Sequence, residues 1–159
     1  MSTQHPIAVP VDLPPGVRVG VVAARFNAEI VDELLRGCAA RLQERGVATA
    51  DIDVHRVPGA FELPVIAKLL ATHADVAAVV CLGCVVRGDT PHFDYVAGET
   101  ARGIMQVSID TGVPVIFGVL TTNTQQQALD RAGGVHSHAG VNAADAAVEM
   151  IALAMKIVA

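Results

Sequence analysis

Four runs of Val, Ile and Ala that do not alternate with polar residues are separated by stretches of helical period. That alternation leaves few folds open to this chain. Residues 17–24, 53–57, 76–86 and 113–120 read as strands, the third being the most apolar run of all. Between and after them, residues 28–45, 61–73, 93–111, 124–132 and 142–158 read as helices. In the first, Ile30, Val31, Leu34, Leu35, Cys38 and Leu42 recur at steps of three and four, Asn27 is placed to cap, and Gly46 to stop it. Pro64 falls in the first turn of the second, where a missing N–H is harmless. Strands alternating with helices predict βαβ units, right-handed crossovers and a parallel sheet buried on both faces. In such sheets a ligand sits beyond the carboxyl ends of the strands.

The strand ends therefore carry the functional information. They read Arg25-Phe26-Asn27, Pro58-Gly59-Ala60-Phe61-Glu62, residues 85–92 and residues 117–123. The third is the most telling. A polar turn, Arg87-Gly88-Asp89-Thr90, leaves the central strand, and Thr90 with Pro91 predicts a helix start there. A helix N-terminus after a glycine-containing turn offers backbone N–H groups and a partial positive charge, which together hold phosphate. His92 stands in that first turn, and histidine is the usual side chain for carrying protons in neutral solution. An anion seat beside a proton carrier points to an enzyme acting on a phosphorylated small molecule. Cys81 and Cys84 have the spacing of a redox or metal pair, yet residues three apart on a strand face opposite ways. They read instead, with Cys38, as buried cysteines of a reducing compartment.

Hydrophobic residues make up 52% of the 159, with no Trp and one Tyr. That much aliphatic surface predicts an oligomer, which buries apolar faces between copies. The net charge of −5 and the absence of any Lys/Arg run exclude nucleic acid as a partner. No apolar run reaches the roughly 18 residues of a membrane span, and the N-terminus lacks a signal pattern, so the expected location is cytoplasmic. Residues 1–15, with Pro6, Pro10, Pro14 and Pro15, form an expected arm, its Ile7 to Val11 portion adding a short strand to a sheet edge. Residues 16–159 form the one expected domain.

Four motifs stand in an order and at a spacing that fit over nearly the whole chain after the arm. They are Arg25-Phe26-Asn27; Pro58-Gly59-Ala60-Phe61-Glu62-Leu63-Pro64; residues 83–95 with Arg-Gly-Asp-Thr-Pro-His-Phe-Asp-Tyr; and Gly118-Val-Leu-Thr-Thr with Gln127-Ala-Leu-Asp-Arg131-Ala-Gly. On these residues the chain resembles the 6,7-dimethyl-8-ribityllumazine synthase family. The resemblance implies a flavodoxin-like three-layer αβα sandwich around a four-stranded parallel sheet, with an N-terminal arm. It also implies a reaction of riboflavin biosynthesis. In it 5-amino-6-(D-ribitylamino)uracil condenses with 3,4-dihydroxy-2-butanone 4-phosphate, releasing phosphate and water, with no metal and no cofactor. By the same resemblance His92 moves protons, Phe26 stacks on the pyrimidine beside Asn27, and Ala60 and Phe61 offer main-chain groups. Glu62 accepts from ribityl hydroxyls, and Cys84, Val85 and Val86 line the pyrimidine edge. Asp89 and Thr90 hold the phosphate, Asp89 through its main chain alone. Arg131 on the phosphate and Phe117 at the ribityl end come from an adjacent subunit.

The family usually has Lys where Ala139 precedes Gly140, and His136 and His138 lie nearby. That departure predicts weaker ribityl or phosphate binding rather than lost chemistry, with His138 or a water as the substitute. Members form homopentamers, and some pack twelve of them into a 60-mer shell. A short turn at residues 131–140 is compatible with a shell and the arm prolines oppose it, so the pentamer is the expected minimum unit. The rival readings are a catalytically weak flavin- or lumazine-binding paralogue, a shell-forming paralogue, and a dinucleotide-binding domain. The last should carry Gly-x-Gly-x-x-Gly where this chain has Ala23-Ala24-Arg25-Phe26-Asn27.

Overall fold

The computed structural model describes residues 7–159. Four parallel strands, β1 (Val19–Ala24), β2 (Ile52–Val57), β3 (Ala78–Val86) and β4 (Val115–Thr122), lie in the order β2-β1-β3-β4. The helices are α1 (Ala28–Glu44), α2 (Leu63–His73), α3 (His92–Thr111), α4 (Gln125–Leu129) and α5 (Ala139–Val158). The result is the flavodoxin-like α/β architecture.

The missing alternation in the strands follows from burial on both sides. Val19, Val21 and Ala23 pack with Ile30, Leu34 and Leu42 of α1 and with Ala147 and Ile151 of α5. Val22 and Ala24 point the other way, into Leu63 and Leu70 of α2 and Ile104 and Val107 of α3. Neither face of β1 can therefore carry a polar residue without burying it unpaired. Cys81 belongs to the α2/α3 face and Cys84 to the α1/α5 face, as the strand period requires.

Glycine does what was expected of it at the end of α1. Gly46 adopts φ +95°, its N–H donates to the Gln43 carbonyl at 3.0 Å, and the Val47 N–H donates to the Leu42 carbonyl at 3.0 Å. These two bonds are a Schellman closure, which needs a residue that tolerates positive φ.

Several expectations are revised. Ile7 to Val11 forms no strand. Pro10, Pro14 and Pro15 cannot donate to a ladder, and the backbone finds side chains instead. The Val9 N–H donates to Glu149 Oε1 at 2.7 Å, and the Val9 carbonyl accepts from Arg45 Nη2 at 2.6 Å. Arg45 and Arg41 both donate to Asp145, at 2.7 and 2.8 Å, so this part of the arm lies against α1 and α5 rather than along a sheet edge. Positions 1–6 of the expected arm, including Pro6, lie outside the described residues. Helix α2 starts two residues late because Ala60–Glu62 forms a 3-10 turn. Strand β4 runs on to Thr122 because the long β3 offers Val85 and Val86 as partners. Helix α4 is shorter than expected, and α5 starts earlier, capped by His138. Helix α3 starts at His92 with Pro91 as its cap residue; the Thr90 hydroxyl only approaches the His92 N–H, at 3.5 Å.

Candidate active site

Helix α1 lies on one face of the sheet and α2 and α3 on the other. The connections leaving β1 and β3 therefore diverge, and a crevice opens between them at their carboxyl ends. A cleft of about 590 Å³ occupies that place. Four chain segments meet in it: Phe26 and Asn27 after β1, residues 59–62 after β2, residues 84–86 ending β3, and residues 88–96 leading into α3.

Two side chains shape the walls through contacts that local rules do not foretell. Asn27 sits at the N-cap of α1 in the left-handed region, φ 57°, and its side chain makes no cap hydrogen bond. Instead Nδ2 donates to the Cys84 carbonyl at 2.8 Å, clasping the β1 loop to the end of β3. Asn tolerates positive φ better than most residues, which suits it to the position. Glu62 reaches back and accepts from the Gly59 N–H through Oε2 at 2.9 Å, closing the 3-10 turn that carries Ala60 and Phe61. One carboxylate oxygen is thus engaged in the turn.

Of the expected site residues, Phe26, Asn27, Ala60, Phe61, Glu62, Cys84, Val85, Val86, Thr90 and His92 all line the cleft. Phe26 is 71% exposed and Phe61 57%, so both rings stand free at its mouth. Asp89 lies in the same turn without lining the wall. Phe117 and Arg131 are not among the lining residues of their own chain. Phe117 stands on the edge strand β4, paired with Cys81, and is 43% exposed. Arg131 follows α4, and its Nη1 donates to the Gln127 carbonyl at 2.9 Å. His138 also lies elsewhere, between α1 and the start of α5, and Ala139 packs against the α1/α5 core.

The strand-end stretches contain Gly59 and Gly88, which also line the cleft without an assigned role, and stop short of Phe93, Tyr95 and Val96, which line it too. Tyr95 and Val96 are three and four residues beyond His92, so helical period could have put them on the same face. Arg87 went unassigned as well. Its Nη2 donates to Asp94 at 2.8 Å, its Nε to Asn123 Oδ1 at 3.3 Å, and its guanidinium lies 4.2 Å from the Phe93 ring centroid. It braces the start of α3 against the end of β4.

Burial pushes the Cys84 thiol up to about 11, and Cys38 and Cys81 up to about 12. Cys84 therefore lines the cleft as a small apolar group, not as a thiolate nucleophile. The ordinary value for these thiols is 9.0. Above that pH the unfolded chain loses thiol protons that the folded chain keeps, so stability falls as pH rises. The urea midpoint is expected to drop between about pH 8 and about pH 10, and to drop less in Cys84→Ala. A midpoint that rises over that span in the parent chain would contradict the burial of these groups.

Among the described residues no group of three or more His, Cys, Asp or Glu side chains is placed to hold a metal ion, and no helix is long and apolar enough to cross a membrane. The cleft offers aromatic faces, a carboxylate, backbone groups and one imidazole beside a helix N-terminus. That set suits a planar polar ring, a hydroxylated tail and an anion, with proton transfers between them.

Comparison with known proteins shows the family. Residues 16–155 match the family model for 6,7-dimethyl-8-ribityllumazine synthase. A protein of that name from Syntrophus aciditrophicus (strain SB) is 49% identical over 142 residues, covering 89% of this chain and 92% of the relative. Another, from Desulfotalea psychrophila (strain LSv54 / DSM 12343), is 51% identical over 135 residues, covering 85% and 87%. The chain belongs to the 6,7-dimethyl-8-ribityllumazine synthase family.

Proposed function

We infer that the chain is a lumazine synthase of riboflavin biosynthesis, a transferase, and that its reaction takes place in the cleft between the ends of β1 and β3. The observation that carries the placement is the convergence there of the three connections leaving β1, β2 and β3, each bringing a motif residue. Phe26 stacks on the pyrimidine of 5-amino-6-(D-ribitylamino)uracil, and the backbone at Ala60, Phe61, Val85 and Val86 binds its edge. Glu62 accepts from the ribityl hydroxyls with the oxygen that the Gly59 N–H leaves free. The phosphate of 3,4-dihydroxy-2-butanone 4-phosphate sits at the start of α3, on the N–H groups of Asp89 and Thr90. His92 carries protons between the amine, the enol and the departing water. The cleft positions both substrates, which alone accelerates the condensation.

The site is completed by a second copy, which brings Phe117 and Arg131; both lie outside the cleft of their own chain. A homopentamer is the smallest assembly we propose. Exposed Val65 and Leu69 on α2 and Met105 and Ile109 on α3 support an apolar contact between copies. Residues 16–159 form the catalytic domain and residues 1–15 the arm, a division supported by the family match beginning at residue 16. A cytoplasmic location agrees with three unpaired, buried cysteines.

Mixing the chain with both substrates and following lumazine absorbance and phosphate release tests the assignment. No acceleration over the uncatalysed reaction would overturn the enzyme and leave a binding protein. His92→Ala is expected to lower kcat by about ten- to a hundredfold, because proton transfer is lost while positioning remains. Full activity in His92→Ala would remove the imidazole from the mechanism.

A further inference from the structure

We propose that His138 is a positioning residue for Arg131, holding the turn that delivers the guanidinium to the phosphate. The inference rests on the reading that Arg131 serves the phosphate of a neighbouring copy's substrate. The ring of His138 fits a slot made by two glycines. A Cβ added at Gly37 of α1 would overlap the imidazole, and one added at Gly133 would come within 3.2 Å of His138 Cδ2. Gly133 also needs its lack of a side chain for φ +99°. Nδ1 of His138 accepts from the Val141 N–H at 3.4 Å and so caps α5, while Nε2 lies 3.5 Å from Glu33 Oε1 of α1. Nε2 is buried and has no other polar partner within hydrogen-bond reach, so the Glu33 carboxylate is what faces it. Arg36 holds that carboxylate in place, Nε donating to Oε2 at 3.0 Å.

The connection to Arg131 runs through the backbone. Ala132 and His138 form an antiparallel bridge, the Gly133 N–H donates to the Ser137 carbonyl at 3.0 Å, and the Ala139 N–H donates to the Arg131 carbonyl at 2.8 Å. The turn is thus closed at its base by residues 131 and 139, with His138 as its contact with α1. Displacing the imidazole from the glycine slot must shift the Arg131 backbone. A guanidinium fork loses its match to phosphate oxygens when moved by about 1 Å. His138 therefore acts on phosphate binding without entering the cleft of its own chain.

The test uses the full chain and steady-state kinetics with each substrate varied in turn. His138→Ala and Gly37→Ala are each expected to raise KM for the phosphate-bearing substrate by about tenfold, with kcat and the pyrimidine KM within about twofold. Gly37→Ala collides with the ring in the parent chain. In a Gly37→Ala/His138→Asn double variant the shorter side chain leaves room and still caps α5, so KM is expected to return to within about threefold of the parent. If Gly37→Ala does not fold, recovery of folding in the double variant supports the slot and failure to recover overturns it. Gly37→Ala with parental kinetics overturns the positioning role, as does a KM rise shared equally by both substrates. Arg131→Ala measured alongside separates the two claims. An unaffected Arg131→Ala overturns the phosphate reading and this inference with it. An impaired Arg131→Ala beside an unaffected Gly37→Ala overturns the positioning alone.

Discussion

Replacing Arg131 by Ala is expected to lower kcat/KM for the phosphate-bearing substrate by about two to three powers of ten, most of it in KM for that substrate. The size follows from what the group would do. A guanidinium forking onto a phosphate makes paired charge-assisted hydrogen bonds worth about 1.5–3 kcal/mol each, so losing the pair weakens binding of the phosphate substrate by about a hundredfold or more. The effect exceeds that expected for His92→Ala because a solvent water can replace a proton carrier in part, whereas nothing replaces a fixed cation on the leaving group. Within its own chain Arg131 is only lightly engaged, by one hydrogen bond to the Gln127 carbonyl of the preceding helix, and can release it for a stronger anion. Arg131→Lys should recover part of the loss, a point charge without the fork. Initial rates at fixed pyrimidine and varied phosphate substrate decide it. Parental KM in Arg131→Ala would show that the phosphate is held within one subunit.

The second large effect concerns stability. Gly140→Ala is expected to lower the unfolding free energy by about 3 kcal/mol and the melting temperature by roughly 10 °C. Gly140 opens α5 where it crosses α1, and a Cβ there would overlap the Leu34 carbonyl. Two effects compete. Alanine favours a helix over glycine by about 1 kcal/mol, which argues for stabilisation. The obstacle, however, is backbone of a fully buried residue, so neither helix can yield without opening the α1/α5 core, and the steric cost wins. Gly98 supplies the contrast. It lies in α3 with nothing within 4 Å of an added Cβ, so Gly98→Ala should leave stability equal or slightly higher. Urea unfolding of both variants checks the pair; Gly140→Ala as stable as Gly98→Ala would refute the crossing.

The layers and strand positions of this fold were legible because each rests on a short-range rule. Apolar runs without alternation require a sheet covered twice, and Gly46 required its turn. Much of the cleft was legible for the same reason, since the ends of parallel strands are where ligands gather. The exceptions share one cause, which is that tertiary partners outbid local ones. Asn27 has the side chain of a helix cap, and a rule confined to neighbours assigns it to α1; its amide goes to a carbonyl 57 positions away. Val9 stands in a stretch that reads as strand, yet its two backbone groups meet a glutamate of α5 and the arginine that follows α1. His138 stood out as a histidine near the expected lysine position, but only the glycine slot on α1 explains its orientation. Phe117 and Arg131 are the opposite case. Their assignment came from the resemblance, and in one chain they do not meet the cleft at all.

The clasp between Asn27 and Cys84 also bears on how the molecule comes apart. It joins two strands that are neighbours in space but separated in the chain by all of α1, β2 and α2. Closing so long a loop is entropically demanding, so the cleft should form together with the central sheet and not ahead of it. A molecule bound across the β1 and β3 ends would hold both halves of the chain at once. Its affinity should then register as slower exchange of the deepest amides of β1 and β3, and not merely as quieter loops.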